Sequence, residues 1–527
     1  MKHMKKKSIY QIIFSIVIFY AILTFLLYFV ETIPKGNESS ITSPGDAAWY
    51  LLATLTTVGY GDITPVTAAG KLIGAVMMIS SAGVLTFVLG LLFTLLFGRF
   101  LPSFRLWMLR HKEWYVFSEL NEGTQLLAQR LATDAPKEVF IFCGKEENLS
   151  QEHYPVMRHF VILEEPLETI IQRQDPKKKC NVFLISGNGF ENFSIGSRIL
   201  SRHHRKELKL YCDADHGPEH VPEGMVLFNR PDGIARSYWT EHPVEKGEKS
   251  FVLIGDGKVA QKLLERGLLI NVLPAGQPLE YHVFGDWEDF KRDHFMLSSS
   301  IGWNEKNADD DSIFFESESW NISAELLKTV DRILLCGDDQ DRNLSLMVEL
   351  RHYFPTKAKV EVYADISDAR CRSFGGDERL LTRETVMQEK LNRLAVRMND
   401  HYRAKTGGGS SWAELSEFHR QSNIAAADHL LTKIRLLLPD ENITEASQEN
   451  RAKAFAKYQA LPGEKKELCR WLEHKRWVRF HVLNNWSYCE TRDNSLRLHP
   501  LLIPYEQLTK EEQLLDDSAW EILGEIN

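Results

Sequence analysis

The chain has 527 residues, of which 44% are hydrophobic and 26% charged, with a formal net charge of −9. This length predicts about three or four domains, and the mild acidity argues against a general nucleic-acid binder. The cysteines show no CxxC spacing, so we predict free thiols and neither a zinc site nor a disulfide framework. The seven cysteines are Cys143, Cys180, Cys212, Cys336, Cys371, Cys469 and Cys489.

Two long apolar runs lie within the first hundred residues. Ser8 to Val30 gives 23 residues without a formal charge, and Leu72 to Phe97 gives 26 more. A helix rises about 1.5 Å per residue, so each run is long enough to cross a ~30 Å hydrocarbon core. A cleaved signal peptide is the alternative for the first run, but no small-residue cleavage site stands out and a second run follows. We therefore predict two membrane-spanning helices.

Positive charge flanks both runs and sets the predicted orientation. Because lysine and arginine next to a span favour the cytoplasmic side, we predict a multi-pass protein of the cell's inner (plasma) membrane with both termini in the cytoplasm. The segment from about Glu31 to Gly70 then faces outward. The flanking charges are Lys2, Lys5, Lys6 and Lys7 before the first run, and Arg99, Arg105, Arg110 and Lys112 after the second.

A glycine-containing loop, Thr56–Asp62 (TTVGYGD), lies between the two runs. A dehydrated cation needs oxygens in place of its water, and several copies of such a loop can supply rings of backbone carbonyls, assisted by the Thr57 hydroxyl. Carbonyls can face one axis only with unusual dihedral angles, which Gly59 and Gly61 permit at no steric cost. The alternative is a chance turn, which the position between two apolar runs disfavours.

The loop resembles the selectivity filter of potassium channels. The resemblance implies potassium ions in the filter, membrane lipid around the chain, and a homotetramer, because one loop per chain supplies a quarter of the cage. In the family, the side chains of Val58 and Tyr60 pack outward and hold the filter in shape. The predicted filter residues are Thr57, Val58, Gly59, Tyr60, Gly61 and Asp62.

The residues before this loop are typical of a short pore helix. Pro44 to Leu55 places a proline near the first turn and Asp46 near the positive end of the helix dipole. The negative end then points toward ions on the pore axis. Trp49 and Tyr50 resemble the aromatic cuff around the family's filter.

The second apolar run is expected to line the inner pore. It contains Gly74, Gly83 and Gly90, and Gly83 lies near its middle. In related two-span channels a mid-helix glycine serves as a gating hinge, and close packing of small residues is the alternative. No arginine-rich helix precedes the pore, which argues against intrinsic voltage gating of that kind.

After about residue 112, short apolar strands alternate with helical patterns, which predicts α/β units around parallel sheets. Tyr115 onward (YVFSELNEGTQLLAQRL) aligns without gaps with Phe251 onward (FVLIGDGKVAQKLLERG), an offset of 136 residues. This tandem arrangement resembles paired regulator-of-potassium-conductance domains. The predicted strands are Trp114–Ser118, Val139–Phe142, Phe160–Leu163, Val182–Ile185 and Leu208–Cys212, then Phe251–Ile254, Tyr281–Phe284, Arg332–Cys336 and Val360–Tyr363.

The second α/β unit carries a candidate nucleotide-binding turn. Gly255, Asp256, Gly257 and Lys258 begin a near match to G-x-G-x-x-G/A between a strand and a helix, where phosphate binds backbone N–H groups. A tight turn that only packs is the favoured alternative, since no acidic residue about twenty positions on is placed to hold a ribose. The first unit has Glu119 at this point, so we expect it to be degenerate.

Two charged clusters have less specific interpretations. The basic cluster is expected to be a solvated face, with an anion or short oligonucleotide contact as the alternative. The acidic runs are expected to be loops, with calcium as the alternative, although EF-hand spacing is absent. These clusters are Arg198, Arg202, His203, His204, Arg205 and Lys206, and Asp309–Asp311 with Asp338 and Asp339.

The last part of the chain is mainly helical in pattern. Three stretches, from Trp412, from Leu472 and from Leu498, resemble the ryanodine-receptor-type repeat domain. Their buried polar residues are expected either to form one hydrogen-bonded network or to line a ligand pocket, in which an arginine holds phosphate and a tryptophan stacks on a base. The pocket candidates are Asn423, Asp428, His429, Glu473, Arg476, Trp477 and Trp486. The residues of the network alternative are Asn423, Asp428, His429, Glu473, His474 and Arg476.

Together these features predict an α-helical pore over residues 1–112, Rossmann-like regulatory domains over 113–246 and 247–390, and a helical domain over 391–527. The function they favour is a ligand-gated potassium-selective channel, not an enzyme, that senses a small molecule of nucleotide type. One alternative is a nucleotide- or oligonucleotide-controlled effector of antiviral defence that depolarises the membrane. A membrane-anchored NAD-binding enzyme is the other, although no catalytic residues or metal ligands are predicted.

Overall fold

The computed structural model describes residues 6–33, 39–95, 101–144, 160–215, 217, 219–274, 276–366 and 372–525. The chain divides into two compact units, Met1–Leu109 and Arg110–Asn527. Among the residues used in the predictions above, Lys2, Lys5, Arg99 and Cys371 lie outside the described residues. The six cysteines within the described residues are free thiols.

The first unit contains the two apolar helices that the sequence predicted. The segments Phe14–Thr32 and Ala68–Gly90 are long and apolar enough to cross a bilayer, and each is mostly exposed within one chain. Large apolar side chains such as Phe25, Leu72 and Ile79 are therefore exposed, as lipid or neighbouring chains require. The helices of this unit are α1 Lys6–Thr32, α2 Pro44–Leu55, α3 Ala68–Leu95 and α4 Leu101–Leu109.

The second unit begins with a six-stranded, wholly parallel sheet in the order β3-β2-β1-β4-β5-β6. Its strands are buried on both faces by helices, which explains their continuous apolar runs. All five predicted strands of this sheet are present, and β6 was missed. The elements are β1 Trp114–Phe117, α5 Glu122–Asp134, β2 Val139–Cys143, β3 Phe160–Leu163, α6 Leu167–Gln172, β4 Cys180–Leu184, α7 Gly189–Arg202, β5 Leu208–Asp213, β6 Met225–Phe228 and α8 Arg230–Glu241.

A second parallel sheet follows in the order β13-β12-β11-β7-β8-β10-β9. The four predicted strands form its centre, whereas the short or outer strands β9, β10 and β13 were missed. The elements are β7 Ser250–Ile254, α9 Lys258–Ile270, β8 Glu280–Phe284, α10 Glu288–Asp293, β9 Gly302–Trp303, β10 Ser312–Glu316, α11 Ala324–Thr329, β11 Arg332–Leu335, α12 Gln340–Tyr353, β12 Lys359–Tyr363, β13 Arg372–Phe374, α13 Asp377–Leu380 and α14 Arg383–Val386.

The C-terminal helices share a hydrophobic core with the second sheet. Ala425 and Phe480 from these helices lie in the same buried cluster as Trp239 and Leu264. The backbone carbonyls at the end of α9 also accept hydrogen bonds from this region, as in the Thr432 Oγ1–Ile270 O contact of 2.8 Å. The elements are α15 Arg393–Thr406, α16 Glu417–Leu437, α17 Gln448–Gln459, α18 Gly463–Leu483, β14 Ser487–Tyr488, β15 Leu498–His499, α19 Lys510–Leu515 and α20 Ser518–Glu525.

Candidate functional site

Helix α2 starts abruptly and leads directly into the glycine-containing loop. The Asp46 carboxylate accepts hydrogen bonds from the backbone N–H groups of Thr42 and Ser43 at 2.9 and 2.8 Å, while the Ser43 hydroxyl accepts one from the Asp46 N–H at 3.2 Å. Pro44 occupies the first turn, where no N–H partner is needed. This capping box fixes the start of the helix, and therefore the direction of its carbonyl end.

The loop itself has an alternating backbone. Thr57, Gly59 and Gly61 have φ of +58°, +56° and +74°, and the residues between them are not left-handed. Such alternation turns successive peptide groups so that their carbonyls face one side of the chain, as a ring of ion-coordinating oxygens requires. Two hydrogen bonds to one acceptor tie the loop to α2, from the N–H groups of Val58 and Gly59 to Ala53 O at 3.0 and 3.1 Å.

Aromatic and acidic side chains hold the outer end of the loop against α2. The Trp49 indole N–H donates to Asp62 Oδ2 at 3.0 Å, and its ring stacks on Tyr60 with centroids 5.9 Å apart and planes 6° apart. Val58 and Tyr60 are 53% and 67% exposed in the single chain. The predicted filter residues therefore form one continuous segment whose apolar side chains point away from their own chain's core.

Glu31 is a scaffold residue that sequence reasoning missed. Its buried carboxylate at the end of α1 accepts hydrogen bonds from the Ser39 hydroxyl at 2.7 Å and from the N–H groups of Val66 and Thr67 at 3.2 and 3.0 Å. Gly70 leaves it room, since a Cβ there would lie 2.0 Å from Glu31 Oε1. The only sequence signal was a single carboxylate at the end of an apolar run.

The glycines of α3 have different surroundings. A Cβ on Gly74 would lie 2.6 Å from the hydroxyl of the buried Tyr50, whereas a Cβ on Gly83 would meet nothing within 4 Å. Gly74 is therefore needed for packing within the chain. The assignment of Gly83 as a hinge stays a prediction.

The Gly255–Lys258 turn has the predicted strand-turn-helix context, but a carboxylate from the same unit lies where phosphate would bind. Asp338, which follows β11, accepts hydrogen bonds from the N–H groups of Lys258 and Val259, both at 3.1 Å. Gly257 makes room for it, since a Cβ there would lie 2.2 Å from Asp338 Cγ. The nucleotide assignment of this turn stays a prediction, and its first two helical N–H groups are already paired.

The other residues of this turn also have partners within the protein. The Lys258 ammonium lies 2.5 Å from Asp215 Oδ2, at the end of the first sheet. The Asp256 carboxylate accepts a hydrogen bond from the Asp286 N–H at 3.3 Å. In the first α/β unit, Asn121 caps α5 through the Thr124 N–H at 2.9 Å, so a side chain occupies the corresponding position there as well.

The structure separates the predicted C-terminal pocket residues into two groups. Asn423, Trp477 and Trp486 line a cavity of about 2220 Å³ that also includes parts of α8, α9 and the end of the first sheet. The other four make contacts that hold elements together. These are Asp428 to Arg236 at 2.7 Å, His429 Nε2 to Val272 O at 3.0 Å, and Glu473 to Arg476 and Lys433, each at 2.6 Å.

The network alternative is likewise divided rather than continuous. His474 contacts Ile503 O at 2.8 Å, and the Asn423 amide donates to His419 O within its own helix at 3.1 Å. Burial lowers the pKa of His429 to about 3, so its ring is neutral at physiological pH. Burial alone would raise the pKa of Glu473, but Arg476 and Lys433 hold it well below its usual value.

The acidic run Asp309–Asp311, for which calcium binding was the alternative, forms ion pairs with side chains of α18. The fully buried Arg479 guanidinium pairs with Asp310 and with Asp311 Oδ2, the latter at 2.6 Å, and Lys475 pairs with Asp310 at 3.0 Å. Burial lowers the pKa of Arg479, but these carboxylates outweigh it and raise the pKa overall. Within the described residues there is no group of three His, Cys, Asp or Glu side chains suited to a metal ion.

The three arginines of the basic cluster, which lie on α7 and just after it, have partners within the protein. Arg198 and Arg202 both contact Glu168, at 2.7 and 3.4 Å. Arg205 donates to the backbone carbonyls of Ile171 and Asp175 at 3.0 and 2.9 Å. These contacts give the cluster a structural role, and the oligonucleotide contact stays a prediction.

Residues 12–98 match the ion-channel family. Over 66 residues the chain is 47% identical to the voltage-gated potassium channel of Aeropyrum pernix, which is 12% of this chain and 22% of that protein. Over 63 residues it is 46% identical to potassium voltage-gated channel subfamily A member 5 of Mustela putorius furo, which is 12% of this chain and 10% of that protein. The chain thus spans less than a quarter of the length of these curated relatives.

Solved structures resemble more of the chain at a lower level of similarity. A GsuK channel is 12% identical and covers 69% of this chain and 94% of its own, with a TM-score of 0.34. A GsuK channel bound to NAD is 9% identical and covers 74% of this chain and 85% of its own, with a TM-score of 0.35. Likenesses at these TM-scores do not establish a shared fold.

Proposed function

We propose that the protein is a potassium-selective channel built from four copies of the chain, in which the second unit senses a ligand and controls the pore. The observation that carries this proposal is the backbone of Thr57, Gly59 and Gly61, left-handed at every second residue directly after a capped pore helix. A filter needs such a segment because oxygens must replace the hydration shell of the ion. The ion-channel family matches residues 12–98, which include this loop, and the two curated relatives reported above are potassium channels.

The exposed apolar side chains support a tetramer around this loop. Val58 and Tyr60 expose 53% and 67% of their surface within one chain, which is costly for an isolated subunit in water. Neighbouring copies around a common axis would bury them. In that tetramer, the Trp49–Asp62 hydrogen bond holds the loop to α2 on the side away from the pore axis and so sets the width of the filter.

A direct test measures the reversal potential of the purified full-length protein in a planar bilayer, with unequal potassium and sodium on the two sides. A reversal close to the potassium equilibrium potential, which shifts toward zero in Tyr60→Ala, is the expected result. Tyr353→Ala is the matched control, because Tyr353 is an exposed tyrosine of the second unit, 69% exposed. A current that admits sodium as readily as potassium in the unsubstituted protein would refute the proposed selectivity.

The ligand-sensing part of the proposal rests on how the second unit is built. The cavity of about 2220 Å³ is lined by the end of the first sheet, by α8 and α9, and by the C-terminal helices. A ligand bound in this cavity adds contacts that can favour one arrangement of these elements over another. We propose that this ligand is a small molecule of nucleotide type.

A further inference from the structure

The wall of this cavity that is formed by the end of α18 and the following loop differs from the rest. Its lining residues include two arginines and no carboxylate; they are Trp477, Phe480, Leu483, Asn484, Trp486, Arg492, Asn494, Ser495 and Arg497. Among the residues that α8 and α9 contribute to the same cavity, each of the four cations has a carboxylate partner. Those pairs are Arg230–Asp213, Arg236–Asp428, Lys262–Glu265 and Arg266–Asp232.

Arg492 and Arg497 have only neutral partners among the described residues. Arg492 Nε donates to Asn494 Oδ1 at 2.9 Å, and Arg497 Nη1 donates to Asn484 O at 2.9 Å. Each guanidinium carries five N–H donors in a planar fork, so most of their donors remain open to an anion. The charge of this wall is therefore not compensated from within the described part of the chain.

The backbone holds Arg497 in a costly conformation. Its φ is +57°, in the left-handed region that residues with a Cβ rarely adopt. Reciprocal backbone hydrogen bonds between Asp493 and Leu498, at 2.8 and 3.0 Å, close the loop around it. Such strain persists only where the surroundings enforce it, and it concentrates at ligand-binding positions.

Aromatic rings lie beside the two arginines on the same wall. Trp486 stacks on Phe418 with centroids 5.1 Å apart, and the partly exposed Trp477 packs against His481 at 4.0 Å. Burial lowers the pKa of His481 to about 3, so this ring adds no positive charge at neutral pH. The wall therefore combines flat aromatic rings with two guanidinium groups that have no carboxylate partner among the described residues.

We propose that this wall is the binding site for a ligand that joins a planar ring to phosphate groups. Arg492 and Arg497 bind the phosphates, and Trp477 stacks on the ring. The inference rests on the proposed function, in which binding of this ligand controls the pore. It assigns the anion contacts to Arg492 and Arg497, which are not among the pocket residues predicted from the sequence. The cavity exceeds the ~300–1,000 Å³ of typical small-molecule sites, so the ligand fills only part of it.

The test uses the full-length protein in lipid nanodiscs with ADP as the probe, because ADP joins a planar ring to two phosphates. Isothermal titration is expected to show ADP binding that weakens by about tenfold or more in Arg492→Gln/Arg497→Gln, since charge-assisted hydrogen bonds are lost. Arg292→Gln, at an exposed arginine of α10 that does not line the cavity, removes the same kind of charge and leaves the affinity unchanged.

Two partial probes separate the contributions of the ring and the phosphates. Inorganic pyrophosphate is expected to lose affinity in the arginine variant but not in Trp477→Leu, and adenosine the reverse. Absence of ADP binding to the unsubstituted protein, or ADP binding that is indifferent to both arginines, would overturn the inference. Binding is measured without ion flux, so a selective channel that does not bind ADP refutes this inference alone, and a protein that binds ADP but admits sodium refutes the proposed selectivity alone.

Discussion

Arg236 and Asp428 form a bidentate ion pair that joins α8 to α16 across 192 residues of sequence. Nε and Nη2 of Arg236 donate to the two carboxylate oxygens of Asp428 at 2.7 and 2.9 Å. The side chains are only 6% and 13% exposed. Because the pair lies beside a core shared by α16, α18 and the second sheet, the C-terminal helices are a structural part of the second α/β unit.

Loss of the Asp428 carboxylate should therefore destabilise the whole second unit. Asp428→Ala leaves a buried guanidinium without its charge partner, and we expect the free energy of unfolding to fall by about 3 kcal/mol. Urea unfolding of the full-length protein, followed by tryptophan fluorescence, measures this change. Glu441→Ala, which breaks an exposed pair with Lys453 at 3.4 Å, should cost less than about 1 kcal/mol. Equal losses in the two variants would contradict this account.

Because of this shared core, deletion of the C-terminal region would not test its role in gating. Removing residues 391–527 would strip Ala425 and Phe480 from the core around Trp239, so loss of gating in such a truncation would report unfolding. Point substitutions on the cavity wall avoid this problem.

Much of the fold could be predicted, since strands buried on both faces have continuous apolar runs. The outer strands β9 and β13 were missed because two or three residues carry too little pattern. The unusual backbone of the loop at Gly59 and Gly61 could be predicted because it depends on which residues stand there. The Asp338–Lys258 contact could not, because 80 residues separate its partners and only the topology brings them together. The packing of α16 and α18 against the second sheet could not be predicted from the sequence for the same reason.

Nucleotide should not protect the start of α9 in the unsubstituted protein. Asp338 already accepts hydrogen bonds from the N–H groups of Lys258 and Val259, and its charge repels phosphate. Hydrogen–deuterium exchange of the peptide that begins at Gly255 should be slow without nucleotide and unchanged by ADP or NAD.

Asp338→Asn keeps the shape of this cap but removes the charge, and exchange of the same peptide should become faster. Asp309→Asn, at an exposed position of the same unit, is the control for loss of one charge. Strong protection of this peptide by NAD in the unsubstituted protein would show that nucleotide displaces Asp338.

Asp516 should make the stability of the C-terminal helices depend on pH. Burial, reinforced by Glu473, raises the pKa of Asp516 from 3.8 to about 7. The folded state therefore binds more protons than the unfolded state between about pH 4 and 7, so the contribution of this group to stability falls as pH rises through that window.

Comparison with Asp516→Asn isolates this effect. Buried histidines that do not contact Asp516, such as His429 with a pKa lowered to about 3, have the opposite pH dependence, but they are common to both proteins and cancel in the difference. The unsubstituted protein should lose stability relative to Asp516→Asn from pH 4 to 7, measured by urea unfolding at each pH. A difference that stays constant over this range would exclude Asp516 as the titrating group.

The indole N–H of Trp49 should be needed for a stable filter. Trp49→Phe keeps an aromatic ring against Tyr60 but removes the 3.0 Å hydrogen bond to Asp62. We expect tetramers to assemble, but potassium current to decay during sustained opening and to decay faster at low potassium, when fewer ions hold the carbonyls in place. Trp107→Phe is the matched control, since Trp107 lies on α4 outside the loop. A steady current in Trp49→Phe would show that the hydrogen bond is dispensable.

Substitution by alanine should reduce assembly of the protein at Gly74 but not at Gly83. At Gly74 the added methyl would lie 2.6 Å from the hydroxyl of Tyr50, a buried group with no hydrogen-bond partner among the described residues. Overpacking of this kind costs about 1–3 kcal/mol, so we expect lower tetramer yield by size-exclusion chromatography. Tyr50→Phe removes the clashing oxygen and should restore assembly of Gly74→Ala.

Gly83 has no atom within 4 Å of an added Cβ in its own chain. Gly83→Ala should therefore assemble normally, and if this glycine is a hinge, the open probability in a planar bilayer should fall because alanine stiffens a helix. A Gly83→Ala protein that fails to assemble would instead place this glycine at a contact between neighbouring chains. The two residues thus separate packing from hinge motion, which their sequence context alone left open.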